Sequence, residues 1–215
     1  MTGVQPVPTG TYWNDPSTVS AFAALPAPAY LTDLLTGPVP DGATALDAGC
    51  GTGRNLPSLI SAGYRVLAVD LHPGMLDQAR ARYAGPRVTF VNATITSIPA
   101  ADQQASLVVC HGVLHNLHRR DELAAGLYEL RRVLAVGGTL SLNTFTAGYL
   151  DPCLSSLGDD VYALPNGQFM TLLPPDELVR LIRSAGLSLH SDAAQYLRPG
   201  DPGQRSVWRA TLTRV

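Results

Sequence analysis

Three histidines stand close together in the stretch VVCHGVLHNLHRR: His111, His115 and His118. An imidazole with an ordinary pKa of about 6.5 can bind a metal ion or move a proton near neutral pH. In a helix, a rise of about 1.5 Å per residue would separate His111 from His118 by roughly 10 Å. One zinc ion, whose nitrogen ligands lie at about 2.0–2.1 Å, could not bind both. No Asp or Glu pair beside His111 and His115 completes a shell. We therefore expect no metal site.

Proton transfer is the other chemistry that these histidines could perform. His111 follows a run of apolar residues that predicts a strand, and Gly112 after it lets a ligand approach closely. We predict that His111 and His115 are the catalytic residues, with His111 taking a proton from a substrate hydroxyl. For His115, packing against a neighbouring loop is the alternative. His118 is expected to be a solvated connector and His72 a surface residue.

A glycine-rich loop lies earlier in the chain, in the stretch LDAGCGTGRN. Gly49, Gly51 and Gly53 follow GxGxG spacing, whereas a dinucleotide site normally has GxGxxG. Asp47 before the loop would repel a pyrophosphate and attract an ammonium group. Asp70 ends the next predicted strand, where a carboxylate can accept both hydroxyls of a ribose. The pattern indicates an adenosine-bearing ligand with a cationic end; a generic turn with a surface Asp is the alternative.

The elements that position these residues alternate between short apolar strands and helices. Strands are predicted at ATALDAG, YRVLAVD, RVTFVNA, ASLVVCHG and TLSLNTFT, with helices between them, one of which carries Leu123, Leu127, Leu130 and Leu134 on one stripe. LSLHSDAAQYL and SVWRATLTRV then form a hairpin across RPGDPGQR. The prediction is an α/β three-layer sandwich with a seven-stranded, mostly parallel sheet and a C-terminal antiparallel hairpin.

The order of these blocks resembles a known family. LDAGCGTGRNLPSLISAGYRVLAVDLHPGMLDQAR, FVNATITSIPAADQQASLVVCHGVLHNL, LRRVLAVGGTLSLNTF and LLPPDELVRLIRSAGLSL are similar, in order and spacing, to blocks of class I S-adenosylmethionine-dependent methyltransferases. The resemblance covers about residues 42 to 190. It implies a Rossmann-like fold, S-adenosylmethionine as cofactor and S-adenosylhomocysteine as product.

The resemblance also implies which residues bind the cofactor. Asp47, Gly49 and Gly51 would hold its methionine portion, and Asp70 would hold its ribose. Leu71 would cover the adenine, Asn92 would accept from the adenine amino group and Ala93 would offer its backbone N–H. The predicted cofactor-binding set also contains Cys50 within the loop, Cys110 at the end of the fourth strand and Tyr12. Tyr12 and Trp13 precede the first predicted helix, where a hydrophobic staple is the alternative; Met75 either reaches the pocket or is buried in its helix.

Composition limits the partners. The 215 residues carry a net charge of −2, and all fifteen basic residues are Arg. Without a basic run, we expect no nucleic-acid partner. No stretch has about 18 consecutive apolar residues, the start lacks the pattern of a signal peptide, and three separated cysteines indicate a reducing compartment, so we expect a cytoplasmic protein without a membrane partner.

These observations predict a single methyltransferase domain over residues 1–215, acting as a monomer or homodimer. Residues 1–40 would form an N-terminal helical cap, and residues 147–173, an irregular insert, could be a substrate lid. The predicted activity is methyl transfer to a small molecule, with a hydroxyl oxygen favoured by His111. Transfer to N, S or C, a cofactor-binding protein that moves no methyl group, and a nicotinamide oxidoreductase are the alternatives.

Overall fold

The computed structural model describes residues 9–190 and 192–215. Five parallel strands form the centre of the main sheet, in the order β3-β2-β1-β4-β5. Helices connect β1 to β2, β2 to β3 and β4 to β5, whereas a loop connects β3 to β4. The elements are α1 Thr9–Trp13, α2 Pro16–Ala23, α3 Ala29–Leu34, β1 Thr44–Ala48, α4 Leu56–Ser61, β2 Arg65–Asp70, α5 Pro73–Tyr83, β3 Val88–Asn92, β4 Ala105–His111, a 3₁₀ turn Leu114–Asn116, α6 Arg120–Val133, β5 Leu134–Thr146, β6 Ser155–Gly158, β7 Val161–Ala163, β8 Phe169–Thr171, α7 Pro175–Ser184, β9 Leu187–Leu189, β10 Ala194–Pro199 and β11 Gln204–Arg214.

The end of the chain completes the sheet in the antiparallel sense. β11 pairs with β5, and β10 pairs with β11, so the seven strands run in the order β10-β11-β5-β4-β1-β2-β3. The predicted fold class is therefore confirmed. One detail was wrong: LSLHSDAAQYL is not one strand, because β9 pairs with the far end of β11 and leaves β10 to form the hairpin.

Apolar side chains cover both faces of the main sheet and pack against the helices on each side. One core packs one face of β1, β2, β4 and β5 against α6 and α7, and the other packs the opposite face of β1, β2 and β4 against α3, α4 and α5. Leu127 and Leu130 of α6 are fully buried, and burying each such side chain contributes about 1.5–3 kcal/mol. Leu134, predicted on the same helical stripe, instead begins β5.

The segment before β1 is helical and docks on α5. Asp15 caps α2 by accepting from the Ser17 and Thr18 backbone N–H groups, as its sequence pattern indicates. Asn14 accepts from the backbone N–H of Gly74 at 2.9 Å. Tyr12 and Trp13 lie inside α1 rather than before the first helix. Residues 1–8 of the predicted cap lie outside the described residues.

The sequence predicted an irregular insert at residues 147–173, and this prediction was wrong. The insert forms an antiparallel sheet in the order β6-β7-β8, and the Thr171 hydroxyl donates to the Leu117 carbonyl at 2.6 Å. None of the described helices is long and apolar enough to cross a membrane.

Candidate active site

A cavity of about 320 Å³ opens at the carboxyl ends of the parallel strands, the edge where open α/β sheets bind ligands. We call one side of it the glycine half, formed by the glycine loop and the ends of β2 and β3. The other side, the histidine half, is formed by the ends of β4, β5, β10 and β11 together with Tyr30 of α3. The glycine half is lined by Trp13, Gly49, Cys50, Gly51, Thr52, Asp70, Leu71, His72, Met75, Ala93, Thr94 and Ile95. The histidine half is lined by Tyr30, His111, Gly112, Val113, His115, Asn116, Leu117, Asn143, Phe145, Tyr196, Arg198 and Val207.

The glycine loop leaves room for a ligand. Gly49 and Gly51 have φ values of +73° and +53°, which favour glycine. A Cβ on Gly49 would lie 2.2 Å from Val113 Cγ2, so the protein itself needs this glycine. Gly51 lines the cavity, and a Cβ on it would meet nothing within 4 Å. Gly51 is therefore the point where a ligand can touch the backbone, which fits the methionine portion predicted here.

Asp70 joins the loop to the end of β2. Its Oδ2 accepts from the Gly51 N–H at 2.8 Å, and its Oδ1 accepts from the His72 N–H at 2.9 Å. The His72 Nδ1 lies 3.2 Å from the same Oδ1. A carboxylate has about four acceptor positions, so beside these three contacts Asp70 keeps about one, on Oδ2, for a ribose hydroxyl. His72 is half-buried and lines the cavity, which corrects its predicted surface position.

Asp47 lies beneath the loop and does not line the cavity. Its Oδ1 accepts from Asn55 Nδ2 at 3.0 Å, while its Oδ2 has no partner among the described residues. Burial raises the pKa of Asp47 to about 6, against the opposing effects of the Asn55 hydrogen bond and the Arg54 charge. Asp47 can therefore act on a ligand through its charge or across a bridging group, since direct contact is blocked.

On the far side of the glycine half, the side chain of Leu71 is 56% exposed. This exposure leaves it free for the predicted role of covering the adenine ring. Asn92 is exposed and outside the cavity lining; its Nδ2 donates to the Asp70 and Leu71 carbonyls, which leaves its Oδ1 as acceptor. Ala93 lines the cavity, but its N–H already donates to the Asp70 carbonyl at 3.1 Å. The prediction that this N–H is offered to a ligand is therefore wrong for this structure.

Two further predicted cofactor residues do not reach the cavity. Cys110 is fully buried and packs in the core on the opposite face of β4, because neighbouring strand residues alternate between faces. Tyr12 packs edge-on against Trp13 at 5.0 Å, and Trp13 is the residue that lines the cavity. Cys50 does line it, as does Met75, which is also buried in α5. Burial raises the pKa of the Cys50 thiol well above its ordinary value.

His111 ends β4 and lies in the histidine half, 6% exposed. Its Nε2 is 2.9 Å from Ser141 Oγ, and its Nδ1 has no hydrogen-bond partner among the described residues. The Tyr30 ring meets it edge-on at 5.0 Å. Burial, with smaller contributions from the charges of Arg54 and Arg209, lowers the pKa of His111 to about 3. The ring is therefore neutral near pH 7, and it is a much weaker base than its ordinary pKa had suggested.

His115, in the 3₁₀ turn, has a defined proton position. The Phe145 backbone N–H donates to its Nδ1 at 3.2 Å, so this nitrogen must be the unprotonated one. Burial, followed by the charges of Arg198 and Arg205, lowers the pKa of His115 to about 3. A neutral ring with an acceptor at Nδ1 carries its proton on Nε2. His115 lines the cavity as a hydrogen-bond donor, stacked on the Phe145 ring at 4.1 Å.

His118 does not belong to this site. It is half-buried and packs against the Phe169 ring of the insert at 4.7 Å, so it is not the solvated connector that we predicted. The three histidines thus have three different environments. Within residues 9–190 and 192–215, no group of three or more His, Cys, Asp or Glu side chains is arranged to hold a metal ion.

The rest of the histidine half comes from residues that the sequence did not single out. His111 pairs with Asn143 across β4 and β5, and Asn143 pairs with Arg209 on β11. Two residues further along, Phe145 pairs with Val207, which pairs with Tyr196 on β10. The list of unpredicted residues is Tyr30, Arg54, Asn143, Tyr196 and Arg198. A weak signal existed for Arg54, which directly follows the glycines, and for Asn143, a polar residue near the end of a predicted strand.

Comparison with known proteins agrees with this geometry. Residues 45–138 match a family model described as a methyltransferase domain. The malonyl-[acyl-carrier protein] O-methyltransferase of Serratia marcescens is 39% identical over 118 residues, which are 55% of this chain and 43% of that protein. The chain thus spans less than half the length of this curated relative.

Solved structures share the fold. A structure of SAM-dependent methyltransferases from Methanosarcina mazei gives a TM-score of 0.72 at 16% identity, over 89% of this chain and 99% of that one. The 1,6-didemethyltoxoflavin-N1-methyltransferase of Burkholderia thailandensis, solved with bound 1,6-didemethyltoxoflavin and S-adenosylhomocysteine, gives 0.64 at 22% identity, over 94% and 81% of the two chains. At these identities the likeness shows the fold.

Proposed function

We propose that the chain is a class I S-adenosylmethionine-dependent methyltransferase that transfers a methyl group to a hydroxyl oxygen of a small molecule. The match of residues 45–138 to a methyltransferase-domain model and the shared fold support this proposal. The observation that carries the proposal is that one cavity contains both the open glycine loop and the two histidines. A ligand on the glycine loop and an acceptor beside His111 would therefore lie in the same cavity, where they can react with each other. Such alignment is the main contribution of an enzyme to a reaction whose electrophile is already activated.

The glycine half is the proposed cofactor site. Gly51 and Asp70 would contact the methionine and ribose portions, with Leu71 over the adenine and the Asn92 Oδ1 accepting from its amino group. Asp47 would favour the cationic end of the ligand by its charge from beneath the loop. When bound, S-adenosylmethionine supplies an electrophilic methyl group on a sulfonium.

In the histidine half, His111 would receive the proton of the acceptor. Its Nε2–H would donate to Ser141 Oγ, which leaves the lone pair of Nδ1 without a partner among the described residues. Because Nδ1 is buried, the acceptor hydroxyl would have to displace the side chains that cover this atom in order to reach it. As the C–O bond forms and the S–C bond breaks, the oxygen becomes positively charged and its O–H becomes strongly acidic. A weak base with a pKa of about 3 then suffices, so the proton would move during methyl transfer and not before it.

His115 would position the acceptor and would not act as a base. Its Nδ1 is occupied by the Phe145 N–H, so only the Nε2–H faces a ligand, and it can donate to an acceptor oxygen. This role differs from that of His111 although both side chains are neutral. A variant that keeps a donor at position 115, such as His115→Gln, should retain part of the activity.

The test combines cofactor binding with product analysis. The protein is incubated with S-adenosylmethionine carrying a deuterated methyl group and a panel of phenols, alcohols, amines and thiols, and the products are located by mass spectrometry and NMR. Methyl transfer to oxygen supports the proposal; transfer only to N, S or C would refute the oxygen acceptor. Binding of S-adenosylhomocysteine without any transfer would favour a protein that only holds the cofactor.

His111→Ala tests the proton acceptor. At saturating S-adenosylmethionine and substrate, kcat should fall by about 100-fold or more, because a general base contributes about 10²–10⁴. The affinity for S-adenosylhomocysteine should change less than about threefold, since His111 lies in the other half. His190→Ala, an exposed position after β9, is the matched control. If His111→Ala turns over as fast as the wild type at every pH between 6 and 8, His111 is not the proton acceptor.

A further inference from the structure

Positive charge is concentrated at the histidine half of the cavity. Arg198, on β10, lines the cavity, and its guanidinium lies 5.1 Å from the centre of the Phe145 ring. Arg54, after the glycine loop, also lines it. Arg209, on β11, lies behind them, 4.6 Å from the centre of the Tyr30 ring. Stacking on these rings holds the two strand arginines in place while their donors stay available for a ligand.

These arginines are not neutralised by the protein. In the part of the chain that the structure describes, no carboxylate forms an ion pair with Arg54, Arg198 or Arg209. Residues 1–8 and 191 contain no Asp or Glu that could do so. Elsewhere five arginines pair with carboxylates; Arg132, for example, binds Asp102 and Glu129. Among the described arginines without an ion pair, Arg54 and Arg198 are the ones that line the cavity, where a bound ligand can reach them.

The arrangement is unfavourable without a ligand. Burial, together with repulsion from Arg54, lowers the pKa of Arg198. The same positive field from Arg54 and Arg209 adds to the lowering of the pKa of His111. An anion between these groups would relieve both effects, because it would offset the charge that Arg54 and Arg198 impose on each other and on the histidine.

We propose that the methyl acceptor is a small molecule with an anionic group, a carboxylate or a phosphate, which Arg198 binds together with Arg54. The planar fork of a guanidinium matches both groups and forms charge-assisted hydrogen bonds with them. Tyr30, Phe145 and Tyr196 provide aromatic walls for a flat or apolar body, and the Tyr30 hydroxyl accepts from Asn143 Nδ2 beside His111. This inference rests on the proposed function, since it assigns the substrate class of the same cavity.

The experiment uses the full chain saturated with S-adenosylhomocysteine and three probes that share one ring and one hydroxyl: 4-hydroxybenzoate, 4-hydroxybenzamide and 4-hydroxyphenyl phosphate. Calorimetry measures each dissociation constant in the wild type, in Arg198→Gln and Arg54→Gln, and in the control Arg65→Gln, an exposed arginine at the opposite edge of the sheet. We expect an anionic probe to bind the wild type and the control about tenfold or more tightly than the amide. In Arg198→Gln this preference should fall below about twofold, and in Arg54→Gln it should weaken.

The outcomes separate this inference from the proposed function. Equal binding of the amide and both anions, a preference that survives in Arg198→Gln, or no binding of either anion below about 10 mM would overturn the anionic acceptor. Whichever anion binds more tightly identifies the group. If the wild type does not bind S-adenosylhomocysteine, the proposed function fails; if it does bind and shows no anion preference, only the substrate class fails. The melting temperature of each variant with S-adenosylhomocysteine shows that the fold is retained.

Discussion

The two halves of the cavity differ in charge and in construction. Asp47 and Asp70 stand at the glycine half, whereas Arg198 and Arg209 stand at the histidine half, with Arg54 between them. The glycine half is built largely from backbone groups and a carboxylate that come from two consecutive strand ends. The histidine half is built from side chains on four strands and one N-terminal helix. One sheet edge thus carries carboxylates at one end of the cavity and guanidinium groups at the other.

This difference indicates how each half is specified. A loop whose backbone contacts a ligand depends on glycine positions that are close in sequence, so a short motif defines it. A wall made of side chains depends on the register of β4, β5, β11 and β10, which lie up to about a hundred residues apart in the chain. In the proposed function, the first half would hold the cofactor, and the second would set which substrate is bound.

The largest expected effect is a loss of cofactor affinity caused by a substitution in the glycine half. Gly51→Ala should weaken binding of S-adenosylhomocysteine by close to 100-fold, because the added methyl group fills the cavity where a ligand needs the space and overpacking costs about 1–3 kcal/mol. Gly42→Ala is the matched control, with φ of +76° and open space around it. Both variants should lose about 1 kcal/mol of stability from the left-handed backbone. If Gly51→Ala and Gly42→Ala bind S-adenosylhomocysteine equally well, then the ligand does not contact the backbone at Gly51.

A smaller effect, in the histidine half, is the pH dependence that His115 gives to the free energy of unfolding. The pKa of His115 is about 3 in the folded chain and about 6.5 when unfolded, so the unfolded state binds more protons between these values. Stability contributed by the neutral ring is complete above pH 6.5 and is lost as pH falls toward 3. Urea unfolding of the wild type and His115→Gln at pH 7.5 and 5.0 should show that the wild type loses about 2 kcal/mol more than the variant.

The opposing contribution of Asp47 cancels in that comparison, because both proteins contain it. If the two proteins lose the same stability on acidification, then the ring of His115 is not held neutral by burial. In that case the assignment of its proton to Nε2 would also lose its support.

The smallest effect concerns charge in the glycine half. Asp47, whose folded pKa is raised to about 6, is mostly neutral at pH 5 and mostly ionised at pH 7. Since an ammonium group favours the ionised form, binding of S-adenosylhomocysteine should be about tenfold weaker at pH 5 than at pH 7. In Asp47→Asn the affinity should be lower at pH 7 and nearly independent of pH. The same pH profile in both proteins would show that another group is responsible.

Several parts of the site were predictable because they follow from local pattern. The alternation of strands and helices indicated the parallel sheet, and GxGxG before a helix indicated the loop. The position of His111 at the end of β4 followed from the length of an apolar run. Cys110, one residue earlier, was assigned to the same site and lies in the core, because the pleat of a strand sends adjacent side chains to opposite faces.

Other predictions failed because hydrogen bonds cannot be read from one position. The N–H of Ala93 is used by the Asp70 carbonyl, and His72 is drawn from the surface to the Asp70 carboxylate. The insert at residues 147–173 forms its own small sheet and contributes no residue to the cavity lining, so its role as a lid stays a prediction.

The sequence by itself determined the α/β order, the glycine loop and the position of Asp70 at the end of β2, since these features depend on residues adjacent in the chain. Only the tertiary structure decided the protonation of the histidines and the composition of the acceptor wall. Burial sets the pKa values of His111 and His115, and strand register brings Tyr196, Arg198 and Arg209 to a site whose histidines lie some eighty residues away. Burial and register both arise from long-range packing, which a linear pattern does not contain.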